Sequence, residues 1–243
     1  MNKVVVITGA SSGLGLSLSK RFLQNRNQVF GISKTKRHWK TAFAEIGETN
    51  RFSLTQLNVT GENFVLHYLK TLLKRTGGID VVINNAGYGN IVSRVDQLDM
   101  SEVNRHFKQN LLSAFIVSKC VLPILKKQKK GLIINISSMA GKRAVPGLFA
   151  YSASKFGILA LSQCIAKENL EDGIKCITVC PGGMNTQMRV KIFGTVDAQK
   201  QQSTDFVANI IFQVATNQIK VESGGDIMIR HGKVMAINPA PKA

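Results

Sequence analysis

Residues 4–32, VVVITGASSGLGLSLSKRFLQNRNQVFGI, decide the fold. The run from Val4 to Ile7 is short, continuous and β-branched, the pattern of a strand buried on both faces of a parallel sheet. Thr8 and Gly9 end it. Gly9, Gly13 and Gly15 make a turn, after which Leu14, Leu18 and Phe22 recur at helical spacing over residues 14–25. A second strand is predicted at residues 28–32. Strand, helix and strand in so few residues make a βαβ unit with its two strands parallel.

Outward from this unit the alternation continues. Further strands are predicted at residues 51–59 (with Asn58 at the end), 79–84, 131–137, 175–179 and, last and short, 226–230. Helices are predicted at 62–75, 101–127, 152–169 and 204–216, with Pro123 expected to kink or shorten the last turn of the second. Strands alternating with helices predict an α/β fold: a doubly wound parallel sheet with helices on both faces. No linker, low-complexity segment or internal repeat divides residues 1–243, so one domain is expected.

The chain carries 32 basic and 14 acidic side chains, a net charge of +18. The basic residues are dispersed except at 34–40 and 126–130, and a dispersed excess does not make a nucleic-acid footprint. No nucleic acid is expected as a partner. No apolar run approaches membrane-spanning length, so no membrane insertion and a cytoplasmic location are expected. Cys120, Cys164, Cys176 and Cys180 form no CxxC pair and lie in apolar, periodic stretches. Reduced, buried thiols and no bound metal are the expectation.

The turn at residues 8–15, TGASSGLG, places three glycines between a strand and a helix. There the backbone can approach a pyrophosphate, and the helix N-terminus offers free N–H groups. Gly9, Ser11, Ser12, Gly13, Leu14 and Gly15 are therefore candidate cofactor residues. The end of the second strand discriminates between a ribose 2′-hydroxyl, which an acid would bind, and a 2′-phosphate, which bases accommodate. No acid occurs before Glu45, whereas eight Lys or Arg do. NADP(H) is predicted, with Ser33 and Lys34 as first contacts and Lys36 or Arg37 in support. Asn58, with Val59 beside it, can meet adenine. Asn85, Ala86 and Gly87 end the fourth strand at the crevice where doubly wound sheets bind ligands.

In GLIINISSMAGKRAVPGLFAYSASKFG, residues 131–157, a strand ends at Ser137 and Ser138, and a helix carries Tyr151 and Lys155 one turn apart. Either serine can be folded back toward the tyrosine and the lysine by the loop between them.

In order, TGASSGLG at 8–15, NNAG at 84–87, Asn110, Ser138, the Tyr151–Lys155 pair and PGGMNT at 181–186 make this chain resemble the short-chain dehydrogenase/reductase family in its roughly 250-residue form. The resemblance implies a Rossmann-type fold and hydride transfer between a nicotinamide and a carbonyl or secondary alcohol. It selects Ser138, thirteen residues before the tyrosine, to orient the substrate oxygen. Tyr151 would move the proton. Its ordinary pKa near ~10 is too high for neutral pH, and Lys155 would lower it and hold the nicotinamide ribose. Asn110 would hold a water that relays protons. Pro181 and Gly182 would form the turn before Thr186, which would bind the carboxamide. The family commonly has Asp where this chain has Asn58, and an apolar residue where it has Asn185.

The substrate walls are expected among Tyr88, Asn90, Met139, Arg143, Val145 and Phe149, with Gln187, Met188, Arg189, Lys191, Ile192 and Phe193 as a lid. Such walls suit a small ketone or a hydroxy or keto acid. Arg143, Arg189 and Lys191 favour an anion. A 3-oxoacyl-thioester reductase is the alternative, and a non-catalytic NADP-binding regulator is the alternative of another class. The family implies a homodimer or homotetramer through the helices around 101–127 and 152–169.

Overall fold

The computed structural model describes residues 2–90 and 92–241. In strand β1 (Val4–Thr8) all five residues are buried, and alternate side chains enter separate cores. Val5 and Ile7 join one core, Val4 and Val6 the other. A strand buried on both faces needs helices above and below it. The chain supplies α1 (Gly13–Gln24), α2 (Trp39–Ile46), α3 (Glu62–Thr76), α4 (Met100–His106), α5 (Ser113–Gln128), α6 (Phe149–Glu168), α7 (Gln187–Phe193), α8 (Thr195–Gln199) and α9 (Thr204–Ala215).

Strands β2 (Gln28–Ser33), β3 (Phe52–Gln56), β4 (Val81–Asn84), β5 (Gly131–Ile136), β6 (Ile174–Pro181) and β7 (Asp226–Arg230) lie parallel with β1. An antiparallel strand, β8 (Lys233–Asn238), closes the order β3-β2-β1-β4-β5-β6-β7-β8. The order reverses between β1 and β4, which opens a crevice at their C-terminal ends. Helices α1 and α9 cover one face, where Phe22 meets Phe212 edge-on at 5.2 Å. Helices α3, α5 and α6 cover the other.

Several expectations are corrected. The third strand stops at Gln56, because the Asn58 side chain takes the Thr60 N–H at 3.3 Å and the Thr60 hydroxyl at 3.0 Å, making a turn. Helix α6 begins at Phe149, before the predicted 152. The helix predicted at 101–127 spans Met100–Gln128 but contains a π-turn at Phe107–Leu112. It runs through Pro123, since burial of Val121 and Leu125 on either side outweighs one lost hydrogen bond. By length and composition Met100–Gln128 could cross a membrane, contrary to the expectation that no stretch would. In this fold its apolar side packs on α3 and the sheet instead. Cys164 is exposed rather than buried. Burial pushes the Cys176 and Cys180 thiols up to about 12, which leaves them inert at neutral pH.

A polar ladder crosses the α5/α6 face beneath the crevice. The Asn84 amide donates to Asn135 Oδ1 at 2.8 Å and to Ser118 at 3.0 Å, and Asn135 donates to Ser162 at 2.9 Å. Asn84 and Asn135 are register partners on β4 and β5, so the ladder pins one strand to the other. Asn135→Ala takes an acceptor from the buried Asn84 amide and a donor from the buried Ser162 hydroxyl, and is expected to lower stability by about 1–3 kcal/mol, measured as a shift of the urea midpoint at unchanged m-value.

Candidate active site

The crevice begins at the turn after β1. Gly9 has φ +68°, and a Cβ there would lie 3.0 Å from the Asn85 amide nitrogen. At Gly15 a Cβ would stand 2.1 Å from the Gly9 carbonyl oxygen, so only glycine permits this approach. Asn85 fastens the turn: its amide donates to the carbonyls of Thr8 at 2.9 Å and Gly9 at 3.4 Å. The Thr8 hydroxyl in return accepts from the backbone N–H groups of Asn85 and Ala86. Asn85 is thus a buttress of the cradle rather than one of its contacts. Helix α1 starts there with no side-chain cap and no acid in its first turn, leaving its N–H groups to an anion.

A cavity of about 360 Å³ runs from this turn along the ends of β2 and β3. Gly9, Ser11, Ser12, Ser33, Lys34, Asn58, Val59, Ala86 and Gly87 line it, as the sequence placed them. Leu14 and Gly15 support the turn from behind. His38, Tyr88, Arg105 and Gln109 also line the cavity, and sequence reasoning missed them in this role. No carboxylate is among the lining residues. Two expected contacts change. The Ser33 hydroxyl accepts from the Trp39 indole at 2.6 Å and donates to the Thr35 carbonyl at 3.1 Å, so it has no proton left for a phosphate. The Asn58 carbonyl oxygen serves Thr60, which leaves its amide N–H groups for a base. Lys36 lies over the Trp39 ring at 5.4 Å and does not line the cavity, and neither does Arg37.

Strand β5 delivers two serines with different fates. Ser137 is buried and donates to the Lys155 carbonyl at 2.8 Å, and at Gly141 a Cβ would clash with both groups. Ser138, next along, lines a second cavity with Tyr151. Its hydroxyl accepts from the Ala140 N–H at 3.1 Å, starting the short turn Met139–Gly141. Tyr151 sits in the first turn of α6. Burial raises its phenol pKa, opposed by a hydrogen bond with Ser138 and the nearby Arg189 charge.

Lys155 is buried, and its ammonium donates to the Ile136 carbonyl at 2.9 Å. Desolvation lowers its pKa from 10.5 to about 8. Its Nζ is 5.8 Å from the Tyr151 ring centre. In this arrangement the amine is turned to the strand end. A Cβ on Gly87 would lie 3.6 Å from Nζ, which places the amine behind a residue that lines the first cavity, although Lys155 itself lines neither cavity.

Asn110 lies in the π-turn, whose extra residue swings it inward. Its Oδ1 accepts from the Tyr88 N–H at 2.6 Å, while its amide donates to the Tyr88 carbonyl at 3.1 Å and to Ser154 at 2.9 Å. Both donors are spent on clamping the chain at Tyr88 to α6.

The second cavity, about 330 Å³, is lined by Asn90, Met139, Arg143, Val145, Met188, Arg189, Ile192 and Phe193 among the predicted wall residues. Tyr88, Phe149, Gln187 and Lys191 do not line it. Tyr88 donates to Glu102 at 2.9 Å and carries Arg105 over its ring, and Lys191 stands 6.0 Å from the same ring. Thr186 caps α7 by accepting from the Arg189 N–H at 3.2 Å, and its methyl lies 3.5 Å from where a Cβ on Gly13 would stand. It joins the lid to the cofactor turn. Pro181 ends β6, and the Gly182 N–H bonds to Ile229 at 2.7 Å. Leu148, Met184, Gln201 and Arg230 line the cavity without having been foreseen.

A hydroxyl and a phenol thus line one cavity together, with a buried ammonium 5.8 Å from the phenol ring and turned to the end of β5. A sequence model of the family described as short chain dehydrogenase matches residues 3–197, and the chain belongs to that family of oxidoreductases. It is 37% identical over 186 residues to oxidoreductase BOA17 of Botryotinia fuckeliana, covering 76% of this chain and 67% of the relative. It is 30% identical over 188 residues to a 3-oxoacyl-[acyl-carrier-protein] reductase of Vibrio cholerae, covering 76% and 75%. Among solved structures, ElxO with NADP bound superposes with a TM-score of 0.85 at 26% identity, covering 94% and 97%.

The lowered Lys155 pKa sets a pH dependence with a definite sign. Between about 8 and 10.5 the unfolded chain holds a proton on this amine that the folded protein lacks. Stability from this group is full above 10.5 and is lost as pH falls through about 8. Lys155→Met is expected to exceed the parent in stability by about 3 kcal/mol at pH 7. That advantage shrinks toward pH 10, as urea unfolding at the two pH values will show.

Proposed function

We propose that the protein is an NADP(H)-dependent carbonyl reductase or alcohol dehydrogenase acting on a small ketone or a hydroxy or keto acid. The convergence of Ser138, Tyr151 and Lys155 where the end of β5 meets the start of α6 carries this reading. The glycine cradle and the free N–H groups of α1 suit a pyrophosphate, so the residues present fit a dinucleotide. The nicotinamide supplies or accepts the hydride. Gly9, Ser11, Ser12 and Gly13 would hold the pyrophosphate, and Asn58, Val59, Ala86 and Gly87 the adenosine. Lys34 would take the 2′-phosphate, with His38 and Arg105 replacing Ser33, Lys36 and Arg37 in support. Gly182 and Thr186 would bound the carboxamide.

In reduction, Ser138 donates to the substrate oxygen and stabilises the charge developing there. Tyr151 gives that oxygen its proton, and burial keeps the phenol protonated until it is needed. Lys155 has two further N–H groups to offer ribose hydroxyls. Leaving Ile136 for the ribose brings its positive charge to the phenolate. Asn110 fixes the frame around them, and a proton relay through its side chain would use the remaining lone pair of Oδ1.

A 3-oxoacyl-thioester reductase is the second reading, favoured by the likeness to the Vibrio cholerae reductase. The reading as a homodimer or homotetramer is supported by the exposed Leu112 and Phe115 in the π-turn and α5, and by Phe156 on α6. Sedimentation of the purified protein tests the assembly.

Tyr151→Phe is expected to lower kcat by about 10²–10⁴ in an NADPH-oxidation assay across ketones, keto acids and acyl thioesters. Retention of turnover would remove the tyrosine from the chemistry, and no turnover by the parent on any substrate would favour a regulator. Lys34→Ala is expected to raise the KM for NADPH about ten- to a hundredfold while leaving that for NADH unchanged, so steady-state kinetics with the two nucleotides separate a phosphate contact from a general loss.

A further inference from the structure

Three arginines and no acidic residue line the cavity that holds Ser138 and Tyr151. Arg189 is neutralised by Asp197 and lies on the Phe193 ring at 4.0 Å. Arg143 is exposed on the loop after β5. Arg230 differs from both. It is partly buried at the end of β7, and no ion pair among the described residues includes it. Its stem crosses the backbone of β6's exit turn so closely that a Cβ on Gly182 would lie 2.8 Å from Arg230 Cγ. Gly182 is therefore the gap through which this side chain reaches the cavity. On its far side Arg230 walls a second hollow with Lys200 and His231, again with no carboxylate in the lining.

A guanidinium that is partly desolvated without a partner is destabilising until an anion arrives, and its planar fork matches a carboxylate. We propose that Arg230 is a specificity residue that binds the carboxylate of the substrate, so that the preferred substrates are oxo acids and the corresponding hydroxy acids. The carbonyl is placed at Ser138 and Tyr151 and the carboxylate at the Gly182 gap. This rests on the oxidoreductase reading and names its substrate class.

The test compares a series of oxo acids of increasing chain length with their methyl esters, in the NADPH-linked assay with the full chain. The parent is expected to favour acid over ester in kcat/KM by about ten- to a hundredfold. Arg230→Gln is expected to bring that ratio close to one, and Arg230→Lys to restore part of it. Lys233→Gln, an equal charge change on exposed β8, is expected to leave the ratio as in the parent. A ratio near one in the parent overturns the proposal. So does an unchanged ratio in Arg230→Gln, or a preference for a phosphorylated ketone over every oxo acid. Titration calorimetry with glutarate separates the two readings. Glutarate binding that Arg230→Gln abolishes, without turnover of any carbonyl, keeps the carboxylate site and sinks the oxidoreductase reading. Turnover without an acid preference sinks only the site.

Discussion

The crevice depends on one side chain that lines neither of its cavities. Asn85 leaves the end of β4 and closes on the carbonyls of Thr8 and Gly9, holding the β1 turn in the shape that Gly15 alone can accept. From that clamp follow the start of α1, the approach of Gly13 to Thr186 and the position of Gly87 beside Lys155. One residue earlier, Asn84 turns into the sheet and joins Asn135. Two adjacent asparagines at the end of one strand therefore fix both the glycine turn after β1 and the strand that leads to Ser138.

The sequence makes the parallel core legible because its strands are short apolar runs and its main helices repeat apolar residues at helical spacing. It hides elements whose order comes from tertiary contact. The strand β8 alternates exposed and half-buried residues at a sheet edge, and α2 has one buried residue, Ala42. The π-turn has no local signal at all: it exists because Asn110 is pulled inward by Tyr88 and Ser154. The order of Ser138, Tyr151 and Lys155 was legible through the family resemblance. Commitments of single atoms were not, since the Ser33 proton and the Asn58 carbonyl are taken by the neighbours Thr35 and Thr60. Arg230 escaped notice because it ends a strand far along the chain from the lid.

The charge excess divides by location. The basic cluster at 126–130 is held by acids: Lys126 and Lys129 face Asp172 at 3.6 and 3.0 Å, and Lys130 faces Asp80 at 3.7 Å. These exposed pairs contribute little to stability, but they tie down the cluster. Around the crevice the cations have few such partners. Lys34, Arg143 and Arg230 enter no ion pair among the described residues.

The clip between Asn85 and Thr8 joins positions 77 residues apart, and Lys142 meets Asp226 across 84. Parallel strands cannot pair through tight hairpins, so loops of this length must close before the contacts that reward them can form. The crevice is accordingly a product of the whole chain rather than of any local segment. During synthesis the residues of the β1 turn emerge first and wait for β4, while Ser138, Tyr151 and Lys155 wait for β5 and α6. The glycine turn and the serine–tyrosine–lysine cluster are thus separated in the order of assembly, although they open onto the same cleft.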